Sequence, residues 1–389
     1  MRRALSGASG LVGLAMLLAS CSSTDSARYG GTRPDHSLSP PAYSIVCVIH
    51  GDGEYVYHDT RGEELKADEV ALAGAMRVGE KNPEAEVFIF HEKPKSNALL
   101  FFPVRDGDFY YYRNGRLHAQ ESYWRDPEHA DFRSEVEIYR RFHVSSRREM
   151  VNVFLYMGHE IPESGGEGYD ESYPDRAFTV HDLASGMEGF IRQSMKFDLM
   201  ILSTCFGGTP YTIGVLGPYA QHIVASPENL HLTYFDLRPL ERLDIGLRDA
   251  SVPTFAKEFA RRAFNRLTSD IQTGVSVGVY HVDSVQNFVR SVRGAYEQTL
   301  VAKNMGSSVV APTVARCDCA ELPAFMKPTM NDGVSVLYRP ARFGKSKDKQ
   351  NHSGWKCWAG TGGDVATTQV APRIPDAAGG PHDDAGREK

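Results

Sequence analysis

Short, continuous apolar runs alternate along this chain with stretches of helical period. Tyr43–Ile49 (YSIVCVI) is apolar almost throughout and is closed by Gly51-Asp52-Gly53. Such a run predicts a strand buried on both faces. Glu63–Val78 places Leu65, Val70, Ala71, Ala75 and Met76 at helical spacing. Val87–Phe90 and Met150–Met157 predict two further buried strands. Leu99–Val104 and Asp108–Arg113, joined across Gly107, predict a hairpin, with a second turn at Asn114-Gly115. Thr179 followed by Asp182 at the third helical position is a helix start, and Leu183, Met187, Phe190 and Ile191 then share a face. Leu199–Leu202 and Gln221–Ser226 predict strands, Val252–Leu267 and Val282–Lys303 helices, and Val334–Tyr338 a late strand. Short apolar strands separated by helices predict an α/β fold, a mostly parallel sheet with helices on both faces.

The ends of the chain differ from this middle. Arg2 and Arg3 precede an apolar segment, Leu11–Leu18, too short to span a membrane as a helix, and Leu18-Ala19-Ser20-Cys21 follows. This resembles a bacterial lipoprotein signal, with 1–20 removed and Cys21 lipidated. Ser22 after the cysteine, in the enteric sorting pattern, favours the outer membrane. Residues 21–41 are rich in Ser, Gly, Pro and Asp and read as a tether, and 359–389 as a disordered tail. The folded domain is expected over 42–358, and the expected location is the cell envelope, through an N-terminal lipid anchor.

Composition narrows the function. Of 389 residues, 41% are hydrophobic and 24% charged, with a net charge of −6 and no long basic run, so nothing points to a nucleic-acid surface. No Gly-Lys-Ser/Thr follows Gly51-Asp52-Gly53, and no Gly-x-Ser-x-Gly surrounds Ser203, so neither a phosphate loop nor a serine-hydrolase elbow is present. Beyond Cys21 the chain has Cys47, Cys205, Cys317, Cys319 and Cys357. An odd number leaves at least one thiol free in a single chain, and Cys317 or Cys319 are candidates to pair with Cys357.

In a parallel sheet, sites lie at the carboxyl ends of strands. Two predicted strand ends carry chemistry: Gly158-His159-Glu160 after VNVFLYM, and Thr204-Cys205-Phe206-Gly207-Gly208 after LMIL. A nucleophilic cysteine needs a base or ion-pair partner and N–H donors for the oxyanion. His159 and Cys205 on neighbouring strand ends meet the first need. The glycines after Cys205 suggest close approach of substrate to backbone. His50, at the end of the first strand in an Ile-His-Gly sequence, is the rival histidine. His91 and His181 are read as incidental, and Cys47 as core.

The order strand, His, helix, strand, Cys resembles the caspase-like cysteine peptidases. Within them it is most similar to the clostripain-like family, on FTVHDLASGMEGFIRQSMKFDLMILSTCFGG, HIVASPENLHL and GVSVLYRPARFG. The resemblance covers about 43–358. It implies a caspase-like fold and an endopeptidase in which Cys205 is the nucleophile, forming a thioester, and His159 is the base or imidazolium. It further implies oxyanion donors at the backbone N–H groups of Cys205 and Glu160, and a peptide or protein as substrate. Three differences from the family stand out. Glycine precedes His159 where the family has it after. Ser203 stands where the family has an aspartate supporting a pocket for a basic side chain, leaving Asp182, Asp198, Glu228 or Asp236 to supply a charge. A long acidic, Gly-rich loop, GHEIPESGGEGYDESYPD, follows the histidine. The pocket candidates are Ser203, Glu228 and Asp236. The family implies possible cleavage in the acidic loop, with Arg176 the candidate, and possible calcium binding by Glu163, Glu167, Asp170, Glu171 and Asp175. No other cofactor is implied. The differences at Ser203 and beside His159 also fit a second reading, an inactive caspase-like lipoprotein that binds peptides or partner proteins.

Overall fold

The structure, a computed structural model, describes residues 40–348 and 369–370, apart from 54, 59–60, 100, 145–149, 164, 192–194, 231–234, 244–251 and 286–332. The signal sequence, Cys21, most of the tether, Cys317, Cys319, Cys357 and all of the tail except Gln369–Val370 lie outside the described residues.

The elements in chain order begin with β1 (Tyr43–His50), the small hairpin β2 (Val56–His58) and β3 (Glu64–Lys66), and α1 (Ala67–Lys81). Then come β4 (Ala85–Glu92), the hairpin β5 (Ser96–Ala98) and β6 (Phe102–Val104), β7 (Gly107–Arg113), β8 (Arg116–Tyr123) and α2 (Arg133–Phe142). The second half carries β9 (Val151–Met157), α3 (Val180–Glu188), β10 (Phe197–Ser203), α4 (Pro210–Leu216) and β11 (Ala220–Ala225). It closes with α5 (Val252–Asp270), β12 (Val275–His281), β13 (Val334–Arg339) and β14 (Gln369–Val370).

Ten strands form one sheet in the order β14-β13-β12-β11-β10-β9-β1-β4-β7-β8. The centre, β11-β10-β9-β1-β4, is parallel. Antiparallel strands extend it on both sides, β7 and β8 beyond β4, and β12 and β13 beyond β11. The central strands are buried on both faces, which is why Ile45–Ile49 of β1 and Val87–Phe90 of β4 read as apolar runs. One face is covered by Val136 and Tyr139 of α2, Leu183 and Met187 of α3, and Ile213 and Leu216 of α4. The other is covered by Ala71, Ala75 and Val78 of α1 and Phe259, Ala263 and Leu267 of α5. The expected α/β architecture, mostly parallel with helices on both faces, is the one observed.

Three local expectations are corrected. The hairpin partner of Gly107–Arg113 is Arg116–Tyr123. Asn114 and Gly115 both have positive φ, 52° and 69°, the primed-turn geometry that matches strand twist. Leu99 and Phe101 instead sit, highly exposed, at the turn of the separate β5–β6 hairpin. The first helix starts at Ala67 because Glu64–Lys66 pairs with Val56–His58. Helix α2 and strand β12 were not anticipated. Of the helix expected over Val282–Lys303, only the turn 282–285 is described. Cys47 is buried inside β1 as expected, and burial pushes its thiol up to about 12, so it is inert.

Candidate active site

Strands β9 and β10 run side by side, in register from Val153↔Leu199 to Met157↔Ser203. The ladder continues one step further, with the Gly158 N–H donating to the Ser203 carbonyl at 3.4 Å. His159 and Cys205 each lie two residues beyond the register pair Met157↔Ser203, on strands about 4.8 Å apart. Two residues restores the same face of the sheet, the one on which Met157 and the partly buried Cys205 pack with the α1 and α5 core. The register therefore brings both residues to the carboxyl ends of two adjacent central strands.

His159 is held by Tyr55, a residue the sequence reading passed over. The two rings stack with centroids 4.0 Å apart and planes 30° apart. The Tyr55 hydroxyl accepts the His159 backbone N–H at 3.2 Å and lies 2.9 Å from His50 Nδ1. Packing against Tyr55 withdraws the otherwise exposed His159 from water and lowers its pKa, against the field of Glu171, which raises it. A neutral imidazole is the form a general base needs. Space at Gly158 is tight: a Cβ there would stand 3.1 Å from His50 Cβ and 3.2 Å from the Tyr169 hydroxyl.

Cys205 sits half-buried on a tight turn. Its Sγ donates to Asn229 Oδ1 at 3.2 Å and accepts the Leu230 N–H at 3.4 Å. Phe206 adopts φ 52°, a left-handed conformation that reverses the chain after the cysteine. The Phe206 N–H donates to the Glu228 carbonyl at 3.0 Å and the Gly208 N–H to the Ser226 carbonyl at 2.8 Å, so the turn is pinned to the segment after β11. The glycines serve this pinning. A Cβ on Gly208 would lie 2.5 Å from the Tyr280 hydroxyl and 3.0 Å from Pro227 N, and one on Gly207 2.7 Å from Thr204 Oγ1. Their crowded sides face the protein, so the fold itself needs glycine at both positions. Thr209 then caps α4, its Oγ1 accepting the Thr212 N–H at 3.1 Å, with Pro210 following at the first helical position. That hydroxyl also donates to Glu163 Oε1 at 2.6 Å, tying the loop after His159 to the turn after Cys205. Burial pushes Glu163 up to about 7.

The other candidates are placed as follows. Glu160 is half-buried beside His159. Ser203 is fully buried, and its Oγ accepts the Phe235 N–H at 2.8 Å, so it braces a backbone and does not line a pocket. Glu228 contributes its carbonyl to the Cys205 turn. Asp236 is paired with Arg238 at 2.6 Å and Arg266 at 3.7 Å, which leaves its charge offset.

His50 is 2% exposed and belongs to a buried charged cluster; burial first, and Arg125 and His159 after it, pull its pKa down to about 4. Its Nδ1 supports the Tyr55 hydroxyl at 2.9 Å. Arg125 is the centre of that cluster. It donates to Asp52 Oδ2 at 2.8 Å and to Asp170, which also accepts from Arg176. The Asp52 Oδ1 accepts from Ser172 at 2.9 Å. The acidic loop is therefore strapped onto the ends of β1 and β4. Two candidates lie on this strapped loop. The Arg176 side chain is held by Asp170 and by the carbonyls of Asp126 and His129. The five carboxylates proposed for calcium do not converge: Asp170 is taken by two arginines, Glu163 by Thr209, and no group of three metal-ligating side chains gathers among the described residues.

Comparison with known proteins adds a limited likeness. No family model matches the chain, and no curated protein does. A secreted C11 cysteine protease from Bacteroides thetaiotaomicron, solved with an irreversible peptide inhibitor, is 11% identical, with a TM-score of 0.47 over 66% of this chain and 71% of that one. A second structure of a secreted C11 protease from that organism, iotapain, is 9% identical at a TM-score of 0.46 over 67% and 72%. An inactive zymogen C11 protease from Parabacteroides distasonis is 10% identical at 0.45 over 71% and 74%. The chemistry of the site rests on this chain's own residues.

Proposed function

We propose that this chain is a cysteine endopeptidase of the clostripain-like kind, with Cys205 as nucleophile and His159 as its base. The observation that supports the reading is the register of β9 and β10, whose last pair, Met157↔Ser203, precedes His159 and Cys205 by two residues each. His159 takes the Cys205 proton and the sulfur attacks the peptide carbonyl. The amine leaves with a proton from His159, and a thioester remains on Cys205. Water, deprotonated by the same imidazole, hydrolyses the thioester and restores the thiol. The Cys205 and Glu160 N–H groups are the proposed oxyanion donors. The substrate is a peptide or protein, and the chain acts at the cell envelope on a lipid anchor at Cys21. No helix among the described residues is long and apolar enough to cross a membrane.

The test compares wild type with Cys205→Ala and His159→Ala on a mixed peptide library. Loss of hydrolysis in both supports the assignment, and unchanged hydrolysis in either removes it. One observation favours a second reading, an inactive peptide-binding protein: the thiol hydrogen is directed at Asn229. A thiol-reactive peptide probe that labels native Cys205, and fails to label the unfolded chain, counts against this alternative.

A further inference from the structure

At the end of the sheet away from Cys205, two histidines face one another across the β11–β12 ladder. His222 and His281 are register partners, with ring centroids 4.8 Å apart and planes 32° apart. Each ring is oriented through Nδ1. That of His222 lies 3.3 Å from the Asp198 carbonyl oxygen, and that of His281 is bonded to Ser284 Oγ. A carbonyl only accepts, so His222 Nδ1 carries the hydrogen and Nε2 keeps its lone pair. Among the described residues this Nε2 is buried without a hydrogen-bond partner, and His222 as a whole is 5% exposed.

One ring nitrogen held by a backbone or hydroxyl oxygen, with the other bare, is how ligating imidazoles are fixed. The spacing fits as well. Two imidazoles bound at 2.0–2.1 Å to one tetrahedral ion have their ring centroids about 5 Å apart. A cavity of about 390 Å³, lined by His222, His281, Lys257, Val279 and Ser335 among others, adjoins the pair and leaves room for ion-bound waters. Among the described residues the charged groups nearby are Lys257, which is exposed to water, and Asp283, which pairs with Lys196 at 3.2 Å. Burial lowers the His222 pKa, with the Asp198 carbonyl opposing it, His281 adding to it and Asp283 opposing it. The neutral imidazole is the ligating form.

We propose that His222 and His281 bind one divalent transition-metal ion of the zinc or copper(II) class. Water fills its other positions, since no third protein ligand gathers among the described residues. The ion cross-links the parallel half of the sheet to its antiparallel extension. His222 pairs with Leu199, six residues before Cys205, so the ion sits roughly 20 Å from the nucleophile and has no part in peptide hydrolysis.

The test uses metal-free full-length protein carrying Cys205→Ser, which keeps the ion from the active-site thiol. Zinc and copper(II) are titrated calorimetrically, and the copper form is read by electron paramagnetic resonance. The expected result is one saturable site that raises the melting temperature, with nitrogen hyperfine structure from two imidazoles. His281→Ala and the polar replacement His281→Gln, both at a half-exposed position, are expected to weaken binding at least tenfold and abolish the melting shift. No saturable site, or affinity unchanged within about twofold in both variants, overturns the proposal.

Discussion

The ring of Tyr55 lies against the ring of His159 with centroids 4.0 Å apart, and its hydroxyl holds the His159 backbone N–H at 3.2 Å. One residue after β1 thereby fixes both the height and the tilt of the proposed base, and His50 at 2.9 Å anchors the hydroxyl from behind.

Tyr55→Phe keeps the stack and removes the hydroxyl. The His159 N–H and the buried His50 ring then lose their shared partner, an expected loss of about 1–2 kcal/mol in stability. Because the base is less firmly placed, kcat/KM is expected to fall about tenfold with KM little changed. Thermal unfolding and steady-state kinetics check this; an unchanged kcat/KM would remove the positioning role.

His159 is exposed overall, but partial burial of its ring lowers its pKa, with Glu171 opposing. The acidic limb of kcat/KM against pH is expected below the ordinary histidine value of about 6.5. Glu171→Gln removes the opposing field and moves that limb to lower pH still. A limb that stays put, or moves to higher pH, contradicts the assignment of His159 as the titrating base.

Ser203 braces Phe235 inside the protein. Ser203→Ala strands a buried N–H and is expected to cost about 1–3 kcal/mol by denaturant unfolding. Ser203→Asp places a charge at a fully buried position and is expected to destabilise more, without creating a preference for Arg or Lys substrates. A gain of such preference with stability intact would show that Ser203 does line a pocket.

Glu163 and His50 give opposing pH dependences. Glu163 titrates near 4.5 when unfolded and about 7 when folded. Its contribution to stability is complete below about 4.5 and is lost as pH rises through about 7. His50 moves from 6.5 to about 4, so its contribution is complete above 6.5 and lost as pH falls through about 4. Glu163→Gln removes only the first. Urea unfolding at about pH 4.5 and about pH 7.5 is expected to show the variant gaining on wild type as pH rises.

The sheet was legible because its central strands are buried on both faces and lack polar alternation, as in Tyr43–Ile49 and Met150–Met157. The start of α3 was legible because a capping box is a local signal: the Thr179 N–H does donate to Asp182 Oδ2, at 2.8 Å. The two strand ends carrying His159 and Cys205 could be read for the same reason. Their surroundings could not. Tyr55, Asn229 and Arg125 act through neighbours distant in sequence, and knowing that β1 lies beside β9 was needed to find Tyr55. The glycines after Cys205 were visible, but a sequence does not say which side of a glycine is crowded. Strand β12 was missed because Val275–His281 is broken by Gly278, whose missing side chain makes room for Tyr280.

The central claim is that His159 makes the Cys205 thiol a nucleophile toward a bound peptide. Its most direct test is mass spectrometry of the folded protein after a peptidyl electrophile, comparing wild type, His159→Ala and Cys205→Ala. The account predicts one label per wild-type chain, on Cys205, sharply slowed in His159→Ala and absent from Cys205→Ala. Equal labelling rates in wild type and His159→Ala, or a label on another residue, would contradict it.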